Sequence, residues 1–334
     1  MTVIAVAAPP EVRDLFFDAD TWAALRRLGD VRLPPPEADV GDEATLAALL
    51  AGADVVVTGW GCAPLSAAVL AAAPGLRLLA HTGASVKPFV TPESFARGVR
   101  VTQAGEAMAY AVGEQALALT LALLHRVHRF DHALRNGVDW ATAKAAPPRR
   151  ELRGATVGVV GASRTGRAYL GLVRALGARV LVADPYLSDA EAATLGAERV
   201  ALDDLLRRSQ VVSLHAPVLP ETVGMIGARE LALLPDGALL VNTARAALVD
   251  EAALLAALRA GRIDAALDVF DAEPLPADHP LRRLPNVLLT PHEAAGTVES
   301  RRRAGAIVVT EIHRFLRGRP LAHEVRPEQL DRTG

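Results

Sequence analysis

The segment 154–185 constrains this chain most, because it predicts a strand, a tight turn, a helix and a second strand in succession. Residues 156–160 form a short apolar run rich in β-branched side chains. Apolar residues then recur at helical spacing over 168–176, and a second apolar strand over 179–183 ends at Asp184. This order predicts a parallel β-α-β unit and therefore an α/β fold.

The turn in this segment has glycines where a bound dinucleotide needs them. Gly161 permits a sharp turn, Gly166 lets the helix pack closely on the strand, and the helix N-terminus offers N–H groups to a pyrophosphate. Asp184 follows Gly166 by 18 residues, close to the ~20 expected for an acid that binds ribose hydroxyls. Ser163 replaces the middle glycine of the usual pattern. We therefore predict a dinucleotide site, against the alternative of an ordinary α/β turn.

Composition excludes several other classes of protein. A chain of 334 residues suggests two domains, and 51% hydrophobic with 22% charged residues is typical of globular proteins. A net charge of −2 indicates no nucleic-acid partner. The single cysteine, Cys62, excludes an intramolecular disulfide and a cysteine zinc cage, and no metal is expected. The apolar N-terminus is interpreted as a strand, no apolar run approaches a membrane span of ~18 residues, and a soluble cytoplasmic protein is expected.

Strands and helices alternate on both sides of the dinucleotide segment, which predicts two parallel-sheet domains. Between them, one long helix is predicted from Tyr110 to about Arg135, with apolar residues around most of its circumference. Such a helix is expected to bridge the domains and to contact a second subunit. The final helix is predicted over residues 298–316.

Three polar side chains can serve one reaction. Arg245 and His292 follow predicted strands, whose carboxyl ends form the ligand-binding edge of an open parallel sheet. An arginine fork can bind a carboxylate and polarise the neighbouring carbonyl, while a histidine supplies or removes a proton. Glu273 can orient that histidine, although Asp271 and Glu293 are alternative partners. Each residue alone has an ordinary structural explanation; together with a dinucleotide site they indicate hydride transfer on a 2-oxo or 2-hydroxy acid.

Several motifs in sequence order resemble the NAD-dependent D-2-hydroxyacid dehydrogenase family. They are Asn242-Thr243-Ala244-Arg245, Leu248-Val249-Asp250-Glu251, Ala266-Leu267-Asp268-Val269-Phe270, Glu273-Pro274 and Thr290-Pro291-His292. The resemblance implies a Rossmann dinucleotide-binding domain (105–293) inserted in a split flavodoxin-like substrate domain (1–104 and 294–334). It also implies a small-molecule substrate in the interdomain cleft and a homodimer built around the long helix.

The same resemblance implies roles for individual residues. The implied catalytic residues are Arg245, Glu273 and His292. The residues implied to contact NAD, with Asp268 on the nicotinamide amide, are Gly161, Ser163, Arg164, Thr165, Gly166, Asp184, His215, Pro217, Thr222, Thr243, Ala244, Arg245, Asp268 and His292. Those implied to bind substrate are Thr82, Gly83, Ala84, Ser85, Arg245 and His292.

Some residues depart from the family pattern. These departures do not change the predicted reaction type, but they leave the identity of the substrate undetermined. Glu293 follows the histidine where an apolar residue is usual, and the loop 83–88 lacks the family's common character. An alternative function is an NAD(H)-sensing binding protein, because the family includes corepressors that keep the fold. Chemistry like that of formate dehydrogenase is disfavoured, because that branch is expected to carry glutamine at the position of Glu273.

Overall fold

The computed structural model describes residues 1–145 and 148–332 as two parallel sheets covered by helices. Residues 146, 147, 333 and 334, which belong to the predicted domain ranges, lie outside the described residues. The strands are β1 Val3–Ala7, β2 Asp30–Arg32, β3 Val55–Thr58, β4 Leu78–His81, β5 Arg100–Gln103, β6 Thr156–Val160, β7 Arg179–Ala183, β8 Glu198–Arg199, β9 Val211–Leu214, β10 Ala238–Asn242, β11 Ile263–Leu267 and β12 Val287–Leu289.

Most of the α-helices connect successive parallel strands of one sheet, because parallel pairing requires a crossover connection; β11 and β12 are joined by a loop with a 3-10 helix. The α-helices are α1 Pro10–Phe16, α2 Ala19–Arg26, α3 Glu43–Leu50, α4 Ala67–Ala72, α5 Pro92–Ala96, α6 Gly105–Leu124, α7 Val127–Arg135, α8 Trp140–Lys144, α9 Arg164–Ala175, α10 Asp189–Leu195, α11 Leu202–Arg208, α12 Ala228–Leu233, α13 Glu251–Arg259 and α14 Val298–Leu316. Short 3-10 helices cover Ala246–Leu248, Pro280–Arg283 and Pro327–Arg332.

The chain forms two compact units. The first, unit 1, contains Met1–Met108 and the segment from Gly296 onward; the second, unit 2, contains Ala109–Ala295. Unit 1 has a five-stranded sheet in the order β2-β1-β3-β4-β5. Its central strand, β3, is buried along its whole length, because helices cover both faces of a parallel sheet and leave no polar face.

Unit 2 has a seven-stranded sheet in the order β12-β11-β10-β9-β6-β7-β8. The chain runs from β6 towards β8 on one side and from β9 towards β12 on the other, so the order reverses between β6 and β9. Ligands of open α/β sheets bind outside the carboxyl ends of the strands at such a reversal. The predicted α/β class with parallel sheets is confirmed.

The prediction of one continuous helix from Tyr110 to Arg135 is wrong. Helix α6 ends at Leu124, α7 begins at Val127, and Arg126 between them adopts a left-handed backbone with φ 57°. The break lets two guanidinium groups reach the same buried carboxylate. Arg126 pairs with Asp264 on β11, and Arg129 Nη2 lies 2.7 Å from Asp264 Oδ1. Tertiary pairing of a buried charge therefore outweighs the helical pattern of the sequence.

Helix α6 also corrects the expectation that no segment is long and apolar enough to cross a membrane. By length and composition its 20 residues pass that test, the one case within residues 1–145 and 148–332. In this fold 56% of its most apolar stretch is buried, as in the core helix of many globular proteins.

Candidate active site

The turn after β6 lies at the reversal point of the unit 2 sheet. Gly161 has φ 93°, and a Cβ there would lie 2.6 Å from the backbone nitrogen of Ala216, so a side chain is excluded. A Cβ on Gly166 would lie 2.1 Å from the carbonyl oxygen of Gly161, so α9 packs directly on the turn. Ser163 caps α9, and its hydroxyl accepts the Gly166 N–H at 3.3 Å. The serine that replaces a family glycine therefore serves the helix N-terminus.

Asp184 is half-buried at the end of β7, beside this turn. Its Oδ2 accepts the Ala162 N–H at 2.7 Å, and its Oδ1 accepts the Tyr186 N–H at 2.8 Å. Each carboxylate oxygen has two lone pairs, so both oxygens retain capacity to accept a hydrogen bond from a ribose hydroxyl. The two backbone bonds hold the carboxylate in one orientation.

His215 lies beneath the turn and is 2% exposed. Its Nδ1 is 3.2 Å from Thr165 Oγ1, its Nε2 is 2.9 Å from Ser213 Oγ, and its ring packs on Tyr169 with centroids 5.2 Å apart. Burial lowers the pKa of His215 to about 3, so the ring is neutral. Both ring nitrogens lie within hydrogen-bond distance of hydroxyl groups of unit 2, so His215 supports the start of α9. Arg164, at the N-terminus of the same helix, is exposed.

The other residues implied to contact NAD follow β9 and β10. The Thr222 hydroxyl donates to the carbonyl oxygen of Pro217 at 2.7 Å, and the Ala244 N–H donates to Asn242 Oδ1 at 3.0 Å. Thr243 is 6% exposed, and its Oγ1 has no hydrogen-bond partner within the described residues. Buried polar atoms are nearly always satisfied, so Thr243 Oγ1 marks a position where a ligand or a water completes the site.

Glu273 and His292 form a direct pair in unit 2. His292 Nδ1 lies 2.6 Å from Glu273 Oε2, and the second carboxylate oxygen accepts the Phe270 N–H at 3.0 Å. Partial burial would raise the pKa of the Glu273 carboxyl, but the bonds from His292 and Phe270 and the charge of Arg245 outweigh it and lower the pKa below its ordinary value. Glu273 is thus a fixed anion behind the imidazole.

The backbone of His292 is left-handed, with φ 54°. Such a conformation costs a non-glycine residue about 1–3 kcal/mol and persists only where neighbours enforce it. Asp268, which is fully buried, supplies that enforcement: its Oδ1 accepts the Thr290 hydroxyl at 2.5 Å and the Glu293 N–H at 3.1 Å. Its Oδ2 accepts the Ala294 N–H at 3.0 Å. The loop that carries His292 is therefore tied, on both sides of the histidine, to the residue that directly follows β11.

Arg245 follows β10 in the same unit. Its Nη1 donates to the carbonyl oxygen of Ala244 at 2.7 Å, and the Asn242 amide donates to the carbonyl oxygen of Arg245 at 2.9 Å. Burial lowers the pKa of the Arg245 guanidinium, and the negative charge of Glu273 acts against that shift. The guanidinium is thus a partly desolvated cation in the field of Glu273.

The predicted substrate residues Thr82, Gly83, Ala84 and Ser85 follow β4 in unit 1, whereas Arg245, Glu273 and His292 belong to unit 2. The Thr82 hydroxyl donates to the carbonyl oxygen of Thr58 at 3.1 Å, so it is used within the sheet. Ala84 and Ser85 are half-buried.

Sequence reasoning did not single out His81, which directly precedes this loop. His81 is 1% exposed, its Nδ1 lies 3.0 Å from Thr58 Oγ1, and its ring packs on Phe89 with centroids 4.5 Å apart. Its Nε2 has no partner in the described chain, and burial lowers the pKa of His81 to about 4. The sequence signal that could have identified His81 is a histidine at the last position of an otherwise apolar strand.

Comparison with known proteins bears on this arrangement. Residues 117–294 match the family model of the D-isomer specific 2-hydroxyacid dehydrogenase, NAD binding domain. The chain belongs to this family. The identification made from the motifs is confirmed, as is NAD as the cofactor of the matched domain.

Individual members of the family extend this match. A D-3-phosphoglycerate dehydrogenase of Mycobacterium leprae is 41% identical over 76% of the chain. The matched region covers only 48% of that relative's length. The chain thus spans about half the length of the phosphoglycerate dehydrogenases it matches. A glyoxylate reductase of Korarchaeum cryptofilum is 37% identical over 76% of the chain and 77% of its own length. The structure of D-2-hydroxyisocaproate dehydrogenase has a TM-score of 0.84 and 25% identity, covering 97% of the chain and 99% of that protein.

The residues present fit the NAD that the family implies. The turn at Gly161 has no room for a side chain, helix α9 presents its N-terminus there, and Asp184 keeps acceptor capacity beside it. The unpartnered Thr243 Oγ1 precedes Arg245 by two residues. Gly161, Asp184, Thr243 and the α9 N-terminus would hold the dinucleotide.

Proposed function

We propose that this protein catalyses reversible hydride transfer between NAD(H) and a pair of 2-oxo acid and D-2-hydroxy acid. The observation that carries the proposal is the 2.6 Å contact between His292 Nδ1 and Glu273 Oε2, on a loop held in a strained conformation. Strain of this kind is retained at functional sites. Family membership and the nearby Arg245 guanidinium support the same reaction.

The chain's own residues would divide the work as follows. NADH, when bound, supplies the hydride. Arg245 binds the substrate carboxylate and draws electron density from the adjacent carbonyl oxygen. Glu273 holds Nδ1 of His292, which leaves Nε2 to donate a proton to that oxygen during reduction and to remove it during oxidation. Because the Glu273 carboxylate lies 2.6 Å from Nδ1, it fixes the orientation of the ring towards the substrate oxygen.

Steady-state kinetics of NADH oxidation with a panel of 2-oxo acids test this proposal. His292→Ala should lower kcat by about 10²–10⁴, the usual contribution of a general acid, while NADH binding changes little. Arg245→Ala should lower kcat and raise KM for the oxo acid, and Arg245→Lys should not restore them, because an ammonium lacks the fork. His313→Ala, on α14 in unit 1, is the control histidine.

The same panel separates the enzyme from a sensor. NADH binding without oxidation of NADH by any 2-oxo acid would refute the enzyme and favour an NAD(H)-sensing protein. Either result is informative, because binding is measured independently by quenching of protein fluorescence.

We also propose that two copies of the chain associate through the surface of α6 to α8. Tyr110, Val127, Leu134 and Trp140 are exposed there, and Trp140 is 70% exposed. We infer that these side chains belong to one association surface, because large exposed apolar patches mark such surfaces. Light scattering at micromolar concentration should give a dimer, and a monomer of 35.1 kDa would refute it. A cytoplasmic location, without nucleic acid or membrane partners, stays a prediction that cell fractionation can check.

A further inference from the structure

A cavity of about 610 Å³ adjoins the Glu273–His292 pair within unit 2. It lies between the loop that follows β11 and the end of β12. Its walls are mostly apolar, and they include Phe270, Pro274, Leu275, Leu289 and Pro291. A volume of this size is typical of pockets that bind small molecules.

The apolar walls of this cavity are anchored to the core. Phe270 and Leu289 are half-buried and pack against the hydrophobic cluster beneath the sheet, so one face of each is fixed and the other remains available. Leu275 is also half-buried, on the same loop as Phe270, whereas Leu289 ends β12 on the other side of the cavity. Phe270 on one side of the cavity and Leu289 on the other are therefore supported by the core.

The charges around the cavity disfavour an anionic occupant. Among the lining residues that the structure describes, Arg282 is the one guanidinium, and its Nε and Nη2 donate to the carbonyl oxygens of Pro276 and Leu275 at 2.8 and 2.7 Å. These bonds tie Arg282 to the loop backbone. The Glu273 carboxylate in the wall would repel a phosphate or a second carboxylate.

We propose that this cavity holds the side chain of a 2-oxo acid, and that the preferred substrates have aliphatic or aromatic side chains. The inference rests on the proposed function, in which the substrate carbonyl meets His292. The cavity shares His292 and Glu273 as a wall, so a substituent on the carbonyl carbon has apolar volume beside it. This substrate class differs from the phosphorylated acid and the glyoxylate named for the relatives.

A homologous series of substrates measures the property directly. Each methylene that enters an apolar site adds roughly fourfold to kcat/KM, so 2-oxopentanoate should exceed pyruvate by about tenfold or more. 4-Methyl-2-oxopentanoate and phenylpyruvate should also exceed pyruvate. Phosphonooxypyruvate and 2-oxoglutarate should be poorer than uncharged acids of similar length.

Two variants test whether the dependence of kcat/KM on side-chain length arises from the cavity. Leu275→Asp, which places a charge in the wall, should flatten the slope of log kcat/KM against chain length. Phe270→Trp, which fills the cavity, should cut kcat/KM for phenylpyruvate more than for 2-oxobutanoate. Leu176→Asp, on an exposed leucine after α9, should keep the wild-type slope.

The outcomes distinguish failure of this inference from failure of the proposed function on which it rests. Absence of turnover with every 2-oxo acid would refute the proposed function. Three results would overturn the proposed substrate class alone. The first is turnover of pyruvate with a flat or falling slope of log kcat/KM against chain length, and the second is a preference for phosphonooxypyruvate or 2-oxoglutarate. The third is an unchanged slope in both folded cavity variants.

Discussion

Replacement of Asp268 by asparagine should release the loop that carries His292. The carboxylate accepts three hydrogen bonds, from the Thr290 hydroxyl and from the N–H groups of Glu293 and Ala294. An amide of the same shape has only one oxygen. If that oxygen keeps the bonds at the Oδ1 position, the amide nitrogen faces the Ala294 N–H and two donors are opposed.

The magnitude follows from these contacts. A buried donor left without an acceptor costs about 1–3 kcal/mol, and the left-handed backbone of His292 costs about 1–3 kcal/mol that the lost bond no longer offsets. We expect the free energy of unfolding to fall by about 2 kcal/mol. We expect kcat/KM for 2-oxo acid reduction to fall about 10- to 100-fold, because each factor of ten corresponds to about 1.4 kcal/mol.

Urea unfolding, steady-state kinetics and NADH titration of the same preparations test this reasoning. Asp278→Asn, an exposed acid in the loop between β11 and β12, is the matched control and should leave all three measurements unchanged. A fall in kcat/KM below threefold would refute the positioning role of Asp268. A rise in the Kd for NADH that equals the loss of kcat/KM would instead assign Asp268 to direct contact with the nicotinamide.

Three further predictions concern charge. Glu273→Gln should lower kcat for 2-oxo acid reduction, since a neutral amide holds Nδ1 of His292 less firmly than the carboxylate does. Glu293→Gln should leave kcat unchanged, and a fall in kcat only in Glu293→Gln would reassign the carboxylate. Burial would raise the pKa of Asp264, but polar contacts from the side chains of His128 and Arg129 and the charges of Arg126 and Arg129 lower it from 3.8 to about 2. The carboxylate therefore contributes roughly 2 kcal/mol to stability above pH 4. Urea titrations should show that contribution lost as pH falls from 4 to 2, and Asp264→Asn should lack this loss. Asp184 should favour NAD over NADP, because a carboxylate at this position repels a 2′-phosphate. Asp184→Ala should therefore narrow the difference in kcat/KM between the two cofactors. A higher kcat/KM with NADP in the wild-type protein would contradict this prediction.

The sequence predicted those features that depend on local pattern. Helix α14 occupies residues 298–316, as its periodicity indicates, because one amphipathic face packs in unit 1 and Thr297 caps its N-terminus. Strands β6 and β7 and the turn at Gly161 likewise follow from short apolar runs and a glycine with a positive φ. In these segments local preference and tertiary packing favour the same conformation.

The break at Arg126 and the left-handed His292 carry no comparable local signal. Both residues have φ values near +55°, which most L-residues avoid, and each is held by an aspartate in or directly after β11, which is distant from it in sequence. Asp264, near the start of that strand, draws Arg126 out of the helix, and Asp268, just after its end, fixes the loop around His292. The two carboxylates differ in what they hold: Asp264 binds side-chain cations, whereas Asp268 binds a hydroxyl and backbone N–H groups. Loss of Asp264 should therefore be seen mainly in stability, and loss of Asp268 in stability and catalysis together.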